Sequence, residues 1–190
     1  MNWRISFSRF LLHIADGLQS VPVFLMRPAD LVEFTRDSYA RSKLVESWSS
    51  SDLVDQGLNI NEVTLLERIP VQSGRLLLLG LGGGREAIPL AKQGFAVTGV
   101  DFVWEMVAQA KANARRHHVE IEGLVEDLIN LEVAHNSFDV KWFSTGSYSY
   151  IPSRACRISV LKRMHTALRQ KGCVQAVAKP RWVVTARNRE

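Results

Sequence analysis

Residues 75–101 read RLLLLGLGGGREAIPLAKQGFAVTGVD and predict most of the fold. The leucines at 76–79 form an uninterrupted apolar run, which is typical of a parallel strand covered on both faces. The glycines at 80, 82, 83 and 84 follow at once, permit a sharp turn and leave the main chain open to a ligand. The pattern then predicts a helix over residues 85–93 and a second strand over residues 95–100.

The second strand ends in Asp101, which gives the first functional indication. It lies about 20 residues beyond the glycines, where an open α/β sheet places a carboxylate that accepts hydrogen bonds from both hydroxyls of a ribose. The sequence therefore predicts an α/β fold with a nucleoside site at the carboxyl ends of its strands. A tight strand-to-helix turn that binds no ligand is the alternative interpretation.

The stretch GLGGGREAIPLAKQGFAVTGVD resembles the first two motifs of class I S-adenosylmethionine-dependent methyltransferases. The resemblance implies a Rossmann-like, mostly parallel sheet of about five to six strands with an N-terminal helical cap. It also implies S-adenosyl-L-methionine as the cofactor. The family commonly has an acidic residue two positions before the first glycine, where it helps to hold the methionyl ammonium. This chain has Leu78 there, and we expect weaker cofactor binding as a result.

The composition is ordinary for one soluble globular domain, with 190 residues of which 46% are hydrophobic and 23% charged. Cys156 and Cys173 have no spacing that indicates a disulfide framework or a metal site, so we expect reduced thiols, no metal and a cytoplasmic location. Of the formal charge of +5, the basic part is concentrated in residues 154–190, which contain ten Lys or Arg against one acidic residue. A solvated helix face is favoured over a nucleic-acid surface.

Helices are predicted before the first strand. Residues 3–18 place apolar side chains on one helical face, but charged residues interrupt them, which argues against a membrane span. Short helices are predicted at residues 52–56 and from Asn61 as N-cap to the residue before Pro70. The chain therefore divides into a helical cap, residues 1–72, and an S-adenosylmethionine-binding core, residues 73–190.

Two further strands are predicted beyond the second. A strand over residues 119–125 is followed by VEDLINLEV, which resembles the family segment in which an Asp accepts a hydrogen bond from the adenine amino group. The resemblance assigns that role to Asp127 and a backbone contact with the ring to Leu128. The alternative role of Asp127 is the N-cap of a short turn. A fourth strand over residues 140–143 places Ser144 beside the ligand crevice.

The last part of the chain predicts a helix over residues 153–171, with Gly172 as its C-terminal cap. The buried stripe of this helix is expected to contain Ile158, Leu161, His165 and Leu168. A fifth strand follows at residues 173–178, and residues 182–185 allow one more short strand. Because the family's sheet is longer, we expect a core truncated after the fifth strand and an exposed edge through which two copies could form a homodimer.

These motifs predict an enzyme, an S-adenosylmethionine-dependent methyltransferase that acts on a small molecule. The first alternative is a non-catalytic methyltransferase-like protein that binds a nucleoside or a partner protein. A nicotinamide-dependent oxidoreductase comes next, and a nucleic-acid methyltransferase last. The predicted cofactor-binding residues are Gly80, Leu81, Gly82, Gly84, Asp101, Phe102, Met106, Asp127, Leu128 and Ser144. The candidates for a base that deprotonates the acceptor are Tyr39, Tyr148 and Tyr150.

Overall fold

The computed structural model describes residues 30, 33–34, 37–38, 41–144, 146–151, 153–178 and 182–187. The helices are α1 (Ser42–Ser49), α2 (Ser51–Asp55), α3 (Ile60–Glu67), α4 (Ala87–Lys92), α5 (Trp104–Arg116) and α6 (Arg154–Ala167). The strands are β1 (Gly74–Leu79), β2 (Phe95–Asp101), β3 (Glu122–Val125), β4 (Phe138–Phe143), β5 (Leu168–Ala178) and β6 (Trp182–Arg187). A 3-10 helix, Ser147–Tyr150, follows β4.

In the described part of the chain, six strands form one sheet in the order β3-β2-β1-β4-β5-β6. The first five strands pair in parallel and β6 pairs antiparallel with β5. The predicted α/β class and mostly parallel sheet are thus confirmed. Because the chain leaves β1 toward β2 while β4 lies on the other side of β1, the carboxyl ends of these three strands surround one crevice.

The leucines of β1 build the core on both faces of the sheet. Leu76 and Leu78 face one layer of helices, and Leu77 and Leu79 face the other, as the two-residue period of a strand requires. The helix residues packed against them are Leu65, Leu90 and Val107 on the first face and Val160 and Met164 on the second. All four leucines of β1 are fully buried, and each such burial stabilises the fold by about 1.5–3 kcal/mol.

The start of α3 differs by two residues from the prediction. The N-cap is Asn59 and not Asn61, because the Asn59 side chain accepts hydrogen bonds from the N–H groups of Asn61 and Glu62. Glu62 closes the capping box by accepting from the Asn59 N–H at 2.8 Å. This arrangement places the Glu62 carboxylate at the start of the helix, toward the functional site.

The predicted helix over residues 153–171 is wrong in its end and in its buried face. It ends at Ala167, and Gly172 lies within β5, which begins at Leu168. Ile158 and Leu161 are 40% and 39% exposed and His165 is exposed, so of the expected stripe Leu168 alone is buried. The helix buries Val160, Met164 and Ala167 instead. Apolar residues lie on both faces of this helix, and packing against the sheet selects one of them.

Two strand predictions also need correction. The third strand begins at Glu122 and not at residue 119. The fifth strand is not the edge that we expected, because Cys173–Ala178 pairs over its whole length with Trp182–Arg187. In the described part of the chain β6 is therefore the outer strand on this side of the sheet, and β3 is the outer strand on the other side. None of the described helices is long and apolar enough to cross a membrane.

β4 contains a buried lysine among apolar residues. Lys141 is fully buried, and its Nζ donates a hydrogen bond to the Met164 carbonyl in the last turn of α6. Burial disfavours the ammonium and lowers the pKa of Lys141 from its ordinary value of 10.5 to about 7. The folded protein therefore holds this side chain partly neutral at neutral pH.

We predict that the free energy of unfolding rises with pH between about 7 and 10.5, because over this range the unfolded chain binds a proton at Lys141 that the folded chain does not. Lys141→Met keeps the length of the side chain and removes the charge. It should abolish this dependence and raise stability at pH 7. Urea unfolding of both proteins at several pH values provides the test, with the exposed Lys162→Met as control. Equal pH slopes in the parent and Lys141→Met would contradict the prediction.

Candidate functional site

The loop of residues 80–84 connects β1 to α4 and forms the floor of the site. Gly82 has a φ of +50°, and a Cβ built there meets no atom within 4 Å. The space above this residue is open, and its left-handed backbone favours glycine. The Gly80 and Leu81 N–H groups both donate to the Val100 carbonyl at 2.9 Å, which fixes the loop to β2.

Asp101 lies at the carboxyl end of β2, as predicted, and is bonded to the loop. Its Oδ2 accepts from the Gly82 N–H at 2.8 Å, and its Oδ1 accepts from the Val103 N–H at 3.1 Å. Burial raises the pKa of Asp101, and these backbone donors oppose the rise. A carboxylate can accept more than two hydrogen bonds, so Asp101 can also serve a ligand.

Gly83 has a different task from that of Gly82. A Cβ at Gly83 would lie 2.5 Å from the Trp48 carbonyl oxygen and 2.5 Å from the Ser49 Cα, so the end of α1 rests directly on the loop. The buried Asn113 of α5 holds both partners, donating to the Ser49 carbonyl at 3.2 Å and to the Gly83 carbonyl at 2.9 Å. A helix preceding the sheet thus forms one wall of the site.

A buried ionic network lies beside the loop. The Arg85 guanidinium forms two hydrogen bonds of 2.7 Å with Glu62, donates to the Gly57 carbonyl at 2.6 Å and contacts Glu86 at 2.5 Å. Burial disfavours its charge, but bonding with Glu62 and attraction to both carboxylates leave the pKa of Arg85 raised. The network connects the helices before the sheet with the start of α4.

Glu86 connects the same network to β4. Its Oε2 accepts from the Trp142 indole N–H at 3.0 Å, and its Oε1 accepts from the Ser144 hydroxyl at 2.8 Å. Burial, followed by repulsion from Glu62, raises the pKa of Glu86 to about 7. A carboxyl group that titrates near neutrality beside a cleft is a candidate functional residue.

These elements enclose a cleft of about 170 Å³. Its lining includes Trp48, Gly80, Gly82, Arg85, Glu86 and Ser144. Most ligand sites measure about 300–1,000 Å³, so a nucleoside-sized ligand would extend beyond the cleft along the loop. In the described ranges no group of three or more His, Cys, Asp or Glu side chains could hold a metal ion.

The structure places the other predicted ligand contacts around the loop at varying depth. Leu81 is buried, and its side chain covers Gly99 of β2. Gly84 faces Ala110 of α5, and Met106 is buried against Val45 of α1. Phe102 is half-buried beside the Met106 cluster. Ser144 reaches the cleft, as expected, but donates its hydroxyl proton to Glu86.

After β3, Asp127 has the alternative role predicted from the sequence, which is to cap a short turn. Its Oδ1 accepts from the Ile129 N–H at 2.9 Å, which caps the turn after β3, while Leu128 packs against the core. Among the base candidates, Tyr148 packs edge-to-face on Phe143, Tyr150 is 54% exposed, and Tyr39 lies outside the described residues. Ligand contacts of these residues stay predictions.

The sequence analysis did not find Glu62, Arg85, Glu86 or Asn113 as site residues. Arg85 and Glu86 lie next to the glycines, and charged residues directly after such a loop were the available signal. Glu62 lies more than twenty positions away from Arg85, and Asn113 is 30 residues from Gly83. Such contacts depend on the fold and have no local pattern.

Comparison with known proteins decides the family. A family model described as "Methyltransferase domain" matches residues 76–172, which is just over half of the chain. The chain belongs to the class I S-adenosylmethionine-dependent methyltransferases. This methyltransferase family uses S-adenosylmethionine as its cofactor, and the glycine loop and Asp101 lie within the matched region.

The methyltransferase relatives are similar over part of the chain. A Geobacillus (strain WCH70) protein assigned to the methyltransferases is 35% identical over 98 residues, which cover 52% of this chain and 39% of the relative. A 23S rRNA (uracil-C5)-methyltransferase of Shewanella (strain W3-18-1) is 34% identical over 89 residues, which cover 44% of this chain and 20% of the relative. The chain thus spans well under half of either protein.

Solved structures show the same fold. A Methanococcus maripaludis protein assigned as an S-adenosylmethionine-dependent methyltransferase has a TM-score of 0.63 and 21% identity, over 72% of this chain and 63% of that chain. Phosphoethanolamine N-methyltransferase 1 of Haemonchus contortus has a TM-score of 0.63 and 20% identity, over 78% of this chain and 32% of that chain.

We predict that Gly83→Ala lowers the free energy of unfolding by about 1–3 kcal/mol and displaces α1, because the new Cβ overlaps the backbone of that helix. Hydrogen exchange of the α1 amides should become faster. Gly82→Ala is the matched control: its left-handed backbone costs about 1–2 kcal/mol, but its Cβ meets open space. The same α1 protection in both variants would show that the helix does not depend on this contact.

Proposed function

We propose that the chain binds S-adenosylmethionine along the glycine loop and transfers its methyl group to a small molecule. The observation that carries the proposal is the bond of 2.8 Å between Asp101 and the Gly82 N–H, with open space above Gly82. A carboxylate at this place suits the two hydroxyls of a ribose. It disfavours a 2′-phosphate through charge repulsion.

The residues fit such a ligand in their chemistry. Bound S-adenosylmethionine supplies a methyl group on a positively charged sulfur, and the chain's own residues orient the ligand and exclude water. In the proposal Asp101 holds the ribose, while Asp127, Leu128 and Phe102 surround the adenine. An acceptor held in line with the sulfur–methyl bond gains much of its rate from positioning alone.

If the acceptor must lose a proton, Tyr148 is the favoured base among the described candidates. It lies in the 3-10 helix after Ser144, half-buried against Phe143. Tyr150 is more than half exposed, and so it is less well placed to act in a site that excludes water.

The small-molecule acceptor is proposed because α1 rests on the loop and leaves a narrow cleft. A nucleic-acid acceptor is the second candidate, favoured by the exposed basic residues Arg154, Lys162 and Arg169 and by the name of the Shewanella relative. The two candidates differ in salt dependence, since nucleic-acid binding through phosphates weakens steeply as salt rises.

The proposal keeps three expectations about the whole protein. Residues 1–72 are expected to cap the core of residues 73–190, and within this segment the contact of α1 with Gly83 supports the expectation. The helix predicted over residues 3–18 lies outside the described residues. A cytoplasmic location follows from the expected reduced thiols, of which Cys156 is a free cysteine. Self-association through the sheet edge next to β5 would involve β6, one of the two outer described strands.

The proposed function is tested first by calorimetric titration with S-adenosylmethionine, S-adenosylhomocysteine and NAD. Methyl transfer from labelled cofactor is then measured with small acceptors and with RNA at low and high salt. Binding of S-adenosylhomocysteine without any transfer would favour the non-catalytic alternative. Preference for NAD would contradict the proposal.

We predict that Asp101→Ala weakens S-adenosylhomocysteine binding by about 1.5–3 kcal/mol, the range for hydrogen bonds to a charged group. Because Asp101 also holds the Gly82 N–H, thermal unfolding of the variant must be recorded with the titration. The exposed Glu120→Ala is the control and should bind as the parent does. Unchanged affinity in a folded Asp101→Ala protein would remove the ribose role.

A further inference from the structure

The outer face of α6 has no role in the function proposed so far. It consists of the exposed residues Arg154, Ile158, Leu161, Lys162 and His165. These residues are spaced three, four or seven positions apart around their neighbours, which places them side by side on the helix surface. Because α6 packs Val160 and Met164 against the sheet, the outer face presents two large apolar side chains to solvent.

The neighbouring part of the chain packs on another flank of α6 and leaves the outer face open. The Arg163 guanidinium donates to the Ile129 carbonyl in the loop before β4. At 100° of rotation per residue, Arg163 points about 140–160° away from Ile158 and Leu161. These two side chains are accordingly 40% and 39% exposed.

The surroundings of the two apolar side chains are strongly basic. Residues 154–171 contain six Lys or Arg and no Asp or Glu. Three of these cations, Arg157, Arg163 and Arg169, have acceptors in the described protein. The other three are exposed and form no ion pair with any described residue: Arg154, Lys162 and Lys171. A partner that covers the outer face must therefore supply negative charge.

An apolar centre beside unpaired cations is complementary to the surface of an anionic lipid bilayer. Such a surface accepts aliphatic side chains at the boundary between headgroups and acyl chains. Arg and Lys side chains are long enough to keep their charged ends at the lipid phosphates while their stems lie in this boundary. The convex surface of a single helix also fits a soft, planar partner that can adjust to it.

Other partners fit the outer face less well. A second copy related by a two-fold axis would bring like charges together. RNA would neutralise the cations but gain little from Ile158 and Leu161, and α6 contains no aromatic residue on which a base could stack. A stable protein interface needs about 800 Å² on each side, and two half-exposed side chains supply a small part of that area.

We propose that the outer face of α6 binds the surface of a membrane that contains anionic lipids. Ile158 and Leu161 enter the headgroup boundary, and Arg154 and Lys162 bind lipid phosphates. The binding is peripheral and reversible, because two apolar side chains and a few cations make a weak anchor. This interaction is independent of the cleft and does not assume methyl transfer.

The test is sedimentation of the 190-residue chain with vesicles of phosphatidylcholine, alone or mixed with phosphatidylglycerol. We expect binding to the anionic vesicles that weakens as salt rises, and little binding to the neutral vesicles. Arg154→Gln/Lys162→Gln should bind the anionic vesicles about ten- to 30-fold more weakly, since each cation contributes about fivefold. The matched control, Lys111→Gln/Arg115→Gln, removes the same two charges from exposed positions of α5 on the other face of the sheet and should bind as the parent does.

A second variant separates a lipid surface from RNA. Ile158→Gln/Leu161→Gln keeps the net charge and changes only half-exposed side chains, so the fold should be retained, as thermal unfolding will show. It should bind anionic vesicles about fivefold more weakly or less, because the apolar contact is lost. Its binding to a short single-stranded RNA, measured by fluorescence anisotropy, should equal that of the parent.

The following results would overturn the proposal. Equal binding of the parent to neutral and anionic vesicles, or binding to neither, would remove the anionic surface as the partner. Equal losses in the α6 and α5 charge variants would show that net charge alone drives the binding. Undiminished vesicle binding by Ile158→Gln/Leu161→Gln would remove the apolar contact, and loss of RNA binding in Arg154→Gln/Lys162→Gln would then assign the outer face to nucleic acid.

Discussion

The two-bond pairing of Arg85 with Glu62 is the contact on which the arrangement of the site depends. Glu62 also closes the capping box of α3, and Arg85 also binds the Gly57 carbonyl that precedes this helix. One guanidinium therefore joins the helices before the sheet to the loop after β1. Removing one partner of such a buried pair typically costs about 3–5 kcal/mol, because the other charge remains buried without compensation.

The packing of α1 against the loop explains why the loop contains more glycine than a turn alone requires. Gly82 leaves open space where a ligand can approach, whereas Gly83 leaves room for the end of α1. Asn113 then bonds the two backbones from the opposite side. Helix α1 and the glycine loop thus pack as one unit beside the cleft, which Trp48 of α1 helps to line.

Two acids with raised pKa values belong to this part of the structure, and their surroundings differ. Asp101 is buried among backbone N–H donors, which partly offset the cost of its charge. Glu86 is buried beside a second carboxylate, which adds to that cost. The cost of ionisation is thus offset by hydrogen bonds at Asp101 and increased by a like charge at Glu86.

Local patterns in the sequence determined the α/β class, the glycine loop and the place of Asp101, because a buried strand, a turn and a strand end each depend on residues close together in the chain. The buried face of α6 was not determined in this way: Val160 and Met164 compete with Ile158 and Leu161, and only the sheet beneath them selects the pair that is buried. Glu86 was missed for the same reason, since its partners Trp142 and Ser144 lie 56 and 58 positions away. Contacts between distant residues have no local period, and so the tertiary structure alone decided which acid faces the cleft.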